Sequence, residues 1–328
     1  MNVKLYTADP FCENYMPFLL FKKSVCDILS NRGYNNDFFK KISLETSSDL
    51  SGLENLSHTL VFINMYDLTL FKEREKIREC ILQNNNVRFI VMNTEHWETR
   101  GAKEVFQLLQ ERNQQNVAIL EYNIINYNNI VNRYPQLHVL FLPLIYCHSL
   151  RAYFRDHVPR SLARNEKDID VLFYGGLNDR RKSILNEIAK SCRLHIVDSH
   201  HGATNKELCN LIERSVVVVN ILYYDFNVVF DYYRNSLLLA NNAILVTELP
   251  EEMDVSIEPW LAGISEIETF CSYDQLVETT TYLVNSTPEQ IQSVREKQRA
   301  WFEKFDMNDI LVPFINYYQI TNEFPVSI

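Results

Sequence analysis

Glycine is scarce in this chain, with seven among 328 residues. No G-x-G-x-x-G turn of the dinucleotide-binding kind is present, and the adjacent pair Gly175-Gly176 stands out accordingly. Long apolar runs are missing as well. The stretch Val139–Tyr146 is among the longest, and Pro143 breaks it far short of the ~20 residues of a membrane span. Basic residues are outnumbered, 32 Lys and Arg against 42 Asp and Glu. The resulting net charge of -10 argues against a general nucleic-acid binder, which needs a basic face for phosphates, yet leaves room for one local basic pocket. Cys12, Cys26, Cys80, Cys147, Cys192, Cys209 and Cys271 are scattered without a C-x-x-C pair. That odd, unspaced set argues against a zinc site or a disulfide framework and fits reduced thiols. No G-x-S-x-G elbow and no H-E-x-x-H pair occurs.

What is present is the composition of a folded protein, 46% apolar and 23% charged, at a length that suits two domains of roughly 150 residues. Strand-like and helix-like segments alternate almost throughout, the pattern of an α/β fold with parallel sheets. In the first half, strands are expected near Val3–Tyr6, Thr59–Ile63, Val87–Met92, Val117–Leu120 and His138–Leu142. Helical patterns near Pro17–Asn31, Leu70–Gln83, Ala102–Gln114 and Ile124–Asn132 separate them. Arg151–Lys167 has no long apolar stripe and reads as the connection between domains. The alternation then restarts, with strands at Val171–Tyr174, Leu194–Val197, Val216–Asn220 and Ala243–Thr247. The helices expected here lie near Arg180–Ser191, Asn205–Arg214 and Val229–Ala240, with a mostly helical tail after Glu248.

The most informative stretch is Val216–Glu248. Ligands of open α/β sheets bind outside the carboxyl ends of the strands, and Asn220 and Glu248 stand at two such ends. Between them Asp231, Arg234 and Asn235 fall at i, i+3, i+4, the spacing of one helix face. A surface ion pair is the plain alternative. Upstream, Gly175-Gly176 follows a strand, Asn178 is placed to cap a helix, and Arg180, Arg181 and Lys182 crowd its first turn. Cations there oppose the helix dipole, a conflict that a bound phosphate would remove. A solvated basic turn is the competing reading.

In the first half the strand FIVM runs into Asn93-Thr94-Glu95-His96, where Glu95 or His96 could serve as general base toward an acceptor hydroxyl. Asp9, Glu13 and Asp67 compete for that role, and helix capping is the alternative for each. Asp168-Ile169-Asp170 looks like a D-x-D metal motif but precedes its strand and points away from any crevice. Asp198-Ser199-His200-His201 reads better as a polar loop than as a metal site.

These residues resemble the GT-B glycosyltransferases, especially small bacterial and viral members of the group 1-like kind. DVLFYGGLNDRR resembles the opening of their donor domain. Asn220, Tyr223-Tyr224, Asp231, Arg234 and Ala243–Glu248 resemble the blocks that follow. MNTEHWE, AILEYNIINYNNI and FLPLIY resemble segments of the first domain, in the same order. The chain departs from the pattern at Leu222, where relatives often have histidine, and at Asp231, where they often have glutamate. It also lacks their spaced glutamate pair, with Leu239 and Ala240 at the corresponding offsets, so the anomeric outcome stays open.

The resemblance implies two Rossmann-like doubly wound domains facing a cleft. Residues 1–155 would bind the acceptor, with 305–328 packing back on them, and residues 165–304 would hold a UDP- or GDP-linked sugar. Arg180 or Arg181 with Arg234 would neutralise the diphosphate near Gly175, Gly176 and Asn178. Asn220 and Tyr224 would contact base or sugar and Glu248 the ribose diol, with Asp231 and Asn235 in the same donor site. Glu95, His96 or Asp9 would act as base, and no metal or other cofactor would be required. The acceptor would be a glycan, lipid or protein rather than nucleic acid. A non-catalytic GT-B-like subunit and a dinucleotide-dependent epimerase or reductase are the alternatives. The opening MNVKLYTADPF lacks the features of a signal peptide, so a cytoplasmic location is expected. It would be the host cytoplasm if the Asn-, Ile-, Tyr- and Phe-rich composition reflects a large DNA virus.

Overall fold

The computed structural model describes residues 2–6, 44–47, 59–69, 74–84, 87–93, 97–111, 116–143, 146, 162–198, 205–225, 230–250, 258–306 and 309. By its internal contacts the chain divides into two compact units, Met1–Leu144 with Met307–Ile328, and Ile145–Asp306.

The first unit carries a parallel sheet of β1 (Asn2–Tyr6), β2 (Leu44–Ser47), β3 (Thr59–Asn64), β4 (Arg88–Asn93), β5 (Val117–Glu121) and β6 (His138–Phe141), in the order β2-β1-β3-β4-β5-β6. Helices α1 (Met65–Thr69), α2 (Arg74–Gln83), α3 (Arg100–Glu111) and α4 (Ile124–Arg133) connect strands of this sheet. Every residue of β4 after Arg88 is buried, so both faces of the strand are covered and its apolar run need not alternate. Phe106 on α3 and Ile130 on α4 join Val61, Phe89 and Ile119 in one core.

The second unit repeats the plan with β7 (Ile169–Tyr174), β8 (Leu194–Val197), β9 (Ser215–Asn220), β10 (Leu245–Glu248) and β11 (Phe270–Cys271), all parallel, in the order β11-β10-β9-β7-β8. Its helices are α5 (Asp179–Ile188), α6 (Asn205–Arg214), α7 (Tyr232–Ala240), α8 (Leu276–Val284) and α9 (Pro288–Phe302). The chain leaves β7 for β8 on one side and returns to β9 on the other, so the strand order reverses between β7 and β9. That reversal opens a crevice at their carboxyl ends. The buried run of β9 is fully enclosed, as its β-branched sequence requires.

Several expectations need correction. Asp231 does not lie on the face of α7; it is the N-cap, its carboxylate accepting from the backbone N–H of Arg234 at 3.2 Å. Spacing of i, i+3, i+4 fits a cap and a first turn as well as it fits one face. Strand β2 escaped the pattern because its sequence LETS carries one apolar residue, and β11 because it is two residues long. Of the segment taken as the interdomain connection, 151–161 lies outside the described residues. Its remainder is fastened to the second unit, where Lys167 Nζ donates to the carbonyls of Glu213 and Ser215 at 2.7 and 2.8 Å. The helix expected at Pro17–Asn31 and, except for residue 309, the part of the expected helical tail beyond Asp306 also fall outside the described residues.

Gln298 on α9 repairs an edge. β11 pairs only with Thr247 and Glu248, leaving Leu245 without a ladder partner on that side. The buried Gln298 amide donates to Leu245 O at 2.6 Å and accepts from Leu245 N at 3.3 Å, as a neighbouring strand would. Gln298→Leu should therefore leave two buried backbone groups unpaired and lower unfolding stability by about 1–3 kcal/mol, measured by denaturant titration.

Candidate functional site

At the crevice between β7 and β9, two guanidinium groups converge on one glycine. Gly175 follows β7 with φ +138°, in the region that favours glycine. A Cβ there would stand 3.0 Å from Arg234 Nη2 and 3.3 Å from Arg181 Nη1. Arg181 is only 5% exposed. Its Nε donates to Ile221 O at 2.8 Å and its Nη1 to Gly176 O at 2.7 Å, while the Tyr223 ring lies 5.0 Å away. Burial, reinforced by the neighbouring Arg234 charge, lowers its pKa to about 10. Among the described residues no carboxylate forms an ion pair with it.

Arg234 extends from the first turn of α7. Its Nη1 donates to Asn220 Oδ1 at 2.6 Å, its Nε lies 3.8 Å from the Asp231 carboxylate, and it stacks 5.0 Å from the Tyr174 ring. Behind it, the Asn220 amide donates to Asn235 Oδ1 at 3.1 Å and to Thr247 Oγ1 at 3.0 Å. This network sets the direction of the Asn220 carbonyl, and hence of the guanidinium it holds. The Tyr174 hydroxyl is buried with no hydrogen-bond partner among the described residues. A buried orphan on a ring that stacks against the Arg234 cation is a place where a ligand or ordered water belongs.

A second layer grips the loop after β9. Three successive carbonyls accept from side chains at the start of α5: Ile221 O from Arg181, Leu222 O from Arg180 Nη1 at 3.0 Å, and Tyr223 O from Asn178 at 2.6 Å. Asn178 also caps α5, accepting from Arg181 N at 2.9 Å. Arg180 forms a two-pronged pair with Glu248, with Nη1 to Oε2 at 2.7 Å and Nη2 to Oε1. That contact raises the Arg180 pKa. The same guanidinium lies 4.0 Å from the Tyr273 ring, and Glu248 accepts from Leu222 N at 2.9 Å.

The structure thus gathers Gly175, Gly176, Asn178, Arg180, Arg181, Asn220, Asp231, Arg234, Asn235 and Glu248 around one crevice. Their surroundings differ from one to the next. Arg180 is engaged with Glu248 rather than open to a diphosphate, and Glu248 is only 5% exposed. Asn235 is fully buried behind Asn220. Tyr224 is half exposed and packs edge-on to Tyr223 at 4.9 Å. Glu95, His96, Asp9 and Glu13 lie outside the described residues, as does the side chain of Asp67. Asp168 and Asp170 pair with Arg214 and Arg193. Among the described residues no cluster of three metal-ligating side chains occurs. Tyr174, Thr247 and Tyr273 were not anticipated. Tyr174 and Thr247 are polar residues at the ends of apolar strands, a signal of the same kind that marked Asn220.

In the first unit, Asn93 and Glu121 are register partners at the carboxyl ends of β4 and β5. Glu121 is fully buried, accepting from Asn93 Nδ2 at 2.5 Å and from the backbone N–H groups of Tyr122 and Asn123 at 2.9 and 2.8 Å. Burial outweighs those donors and raises its pKa to about 8. Asn93 immediately precedes Thr94-Glu95-His96, so this pair anchors the strand end from which that segment departs.

No protein-family model matches the chain, and no curated protein matches it either. Solved structures do match in fold. A DNA-modifying β-glucosyltransferase, studied with and without uridine diphosphoglucose, superposes with a TM-score of 0.53 at 10% identity, over 93% of this chain and 94% of that one. The T4 phage enzyme BGT in complex with UDP and Mn2+ gives 0.52 at 10% identity over 95% and 98%. The N-terminal domain of Candida albicans trehalose-6-phosphate phosphatase gives 0.53 at 9% identity over 97% and 96%. The chain therefore has an α/β fold of parallel sheets and helices that matches GT-B glycosyltransferases. A neighbour named for a phosphatase is a reminder that the fold alone does not select a reaction.

Glu121 sets a pH dependence. Between the ordinary carboxyl value of 4.5 and about 8, the folded chain keeps a proton that the unfolded chain has lost. Its contribution is thus fully present below 4.5 and is lost as pH rises through 8. Denaturant unfolding from pH 5 to 9 should show this decline, and Glu121→Gln should flatten it. An equal slope in the variant would assign the decline to other groups.

Proposed function

We propose that this chain transfers a sugar from a UDP- or GDP-linked donor to a hydroxyl group of an acceptor. The observation that carries the reading is the convergence of Arg181 and Arg234 on Gly175 at the reversal point of the second sheet. A diphosphate there accepts from both guanidiniums, and their charge stabilises the negative charge that grows as the glycosidic bond breaks. The structural neighbours studied with uridine diphosphoglucose or UDP support the same choice of ligand.

Asn220 is held too deeply to meet the ligand except through Arg234, and Tyr224 stands exposed at the rim for base or sugar. Glu248 stands where an acidic residue accepts from a ribose diol in dinucleotide folds. Contact there requires Arg180 to turn away along the Tyr273 ring. The second unit thus binds the donor, and the first presents the acceptor to a base, Glu95 in preference to His96 or Asp9. The donor is the only cofactor-like molecule the reading calls for, and a metal is not required. One neighbour contains Mn2+ beside UDP, so that point is decided by experiment. An acceptor with few phosphates suits the net charge of -10 better than DNA does. One observation favours a non-catalytic nucleotide-sugar-binding protein instead. Leu222 is buried and contributes only its backbone where relatives often have histidine. Transfer of labelled sugar to any acceptor hydroxyl excludes that second reading.

UDP or GDP should raise the melting temperature in EDTA; stabilisation that appears only with manganese would overturn the metal-free reading. Arg234→Ala removes a charge-assisted contact of roughly 1.5–3 kcal/mol, so nucleotide affinity should fall about ten- to a hundredfold by calorimetry. Normal nucleotide binding by this variant would move the donor site elsewhere.

Glu95→Gln should leave nucleotide affinity at the wild-type value while cutting sugar transfer by about 10²–10⁴. Transfer at the wild-type rate would assign the base to another group.

A further inference from the structure

The opposite end of the same strands holds a second polar cavity. It has a volume of about 190 Å³ and lies beside Ser215, the first residue of β9, and Ala243-Ile244, just before β10. Its charged lining is Lys167, Glu213 and Arg295. The volume far exceeds the ~10–15 Å³ that one water needs. The crevice at Asn220 and Glu248 is at the other edge of the sheet.

Both cations are held in place by the backbone with donors left over. Lys167 Nζ donates to Glu213 O and Ser215 O, and an ammonium has a third N–H. Arg295 Nε donates to Asn242 O at 3.1 Å and Nη1 to Gln292 Oε1 at 2.8 Å. Its Nη2 has no partner among the described residues. The carbonyl it grips belongs to Asn242, which adopts φ +57°, a left-handed turn that directs the carbonyl toward the guanidinium. Among the described residues Glu213 is the one carboxylate in the lining, and its Oε1 accepts from Leu162 N at 2.5 Å. Neither cation forms an ion pair with it. Arg164 adds a further positive charge close enough to act on Lys167. Burial lowers the pKa of both Lys167 and Arg295, and the nearby Glu213 carboxylate offsets that shift in part.

We propose that this cavity is a second ligand site, which binds the phosphate or carboxylate group of a small metabolite between Lys167 and Arg295. The oxyanion accepts from the third Lys167 N–H and from the free edge of the Arg295 fork, while Glu213 stays with the Leu162 amide. Coordination by a backbone-anchored ammonium and a backbone-anchored guanidinium needs no rearrangement of either. The site is independent of the donor crevice, so it stands or falls apart from the sugar-transfer reading.

The test is thermal melting of the full chain in sodium phosphate, with sodium chloride at matched ionic strength as reference. Arg234→Ala is included to disable the crevice. A saturable rise of a few degrees is expected in the wild type, retained in Arg234→Ala. Two further substitutions, each made in the Arg234→Ala background, should abolish it. Arg295→Gln removes the fork, and Ala243→Leu fills the cavity without touching a charge. Sodium acetate in place of phosphate tells which group the site takes: an equal rise assigns a carboxylate ligand, and no rise assigns a phosphate. Loss of the phosphate effect in Arg234→Ala alone would place all anion binding at the crevice and overturn the proposal. So would persistence of the effect in either additional variant, provided that variant still melts cooperatively in chloride.

Discussion

Everything at the crevice between β7 and β9 depends on burying the Arg181 guanidinium, with which no carboxylate among the described residues forms an ion pair. An unpaired buried charge is costly unless polar groups replace its lost water. Here the replacements are backbone carbonyls: Ile221 O from the loop after β9 and Gly176 O from the turn after β7. Those two carbonyls come together because β7 and β9 are adjacent strands on which the topology reverses. The price of this arrangement falls on the turn, which must bring its backbone against two guanidiniums, and only a residue without Cβ allows that approach at Gly175. A carbonyl carries a partial charge, so the two of them leave part of the cation's field uncancelled. Arg234 adds a second cation, and Asp231 at 3.8 Å offsets some of it. Among the described residues, Asp231 is the carboxylate nearest the Arg234 guanidinium, and none forms an ion pair with Arg181.

The Arg180–Glu248 pair has a different character. Buried ion pairs are weak evidence for stability, because desolvation offsets much of their attraction. What this pair does supply is position. Glu248 accepts from Leu222 N and Arg180 donates to Leu222 O, so one residue of the loop is held at both its donor and its acceptor. With Arg181 on Ile221 and Asn178 on Tyr223, the segment that carries the two exposed tyrosines is set by hydrogen bonds as well as by the burial of Ile221 and Leu222. Its residues can therefore stand at the rim, half exposed, and still keep a defined geometry. Direction, more than net energy, is what these contacts provide.

Much of the fold was legible because burial on both faces writes itself as continuous apolar runs. The strand Val216–Asn220 was readable to within a residue for that reason, and the helix Asn205–Arg214 has the bounds expected for it. Gly175-Gly176, Arg181 and Arg234 stood out in the sequence because glycine is rare and cations in a first helical turn oppose the dipole, and the structure sets both guanidiniums against Gly175. What failed depended on pairings distant in sequence. Nothing in the residues near Glu248 announces that Arg180, 68 positions earlier, takes both its oxygens. Asp231 was misplaced by one turn because a cap and a helix face share a spacing. Glu121 sits within an apolar run that reads as strand, and only the register pairing with Asn93 shows it to be a buried acid at a strand end.

The second sheet also shows how one set of strands serves two chemistries. The strands themselves are apolar, and polar groups enter only where the ladder stops. At the carboxyl ends of β9 and β10 those groups are Asn220, Thr247 and Glu248; at the amino ends they are Ser215, Asn241 and Asn242 with Lys167 and Arg295. In both places a cation is anchored by backbone carbonyls, because strand and loop ends leave carbonyls without ladder partners. A carbonyl that has lost its ladder bond attracts an N–H donor, and lysine and arginine are the side chains long enough to bring one from outside the sheet. Each such cation satisfies the backbone and then has donors to spare. The ends of a buried parallel sheet thus become basic even in a chain of net charge -10, and the positive potential that an anionic ligand needs follows from closing the backbone hydrogen bonds of the fold.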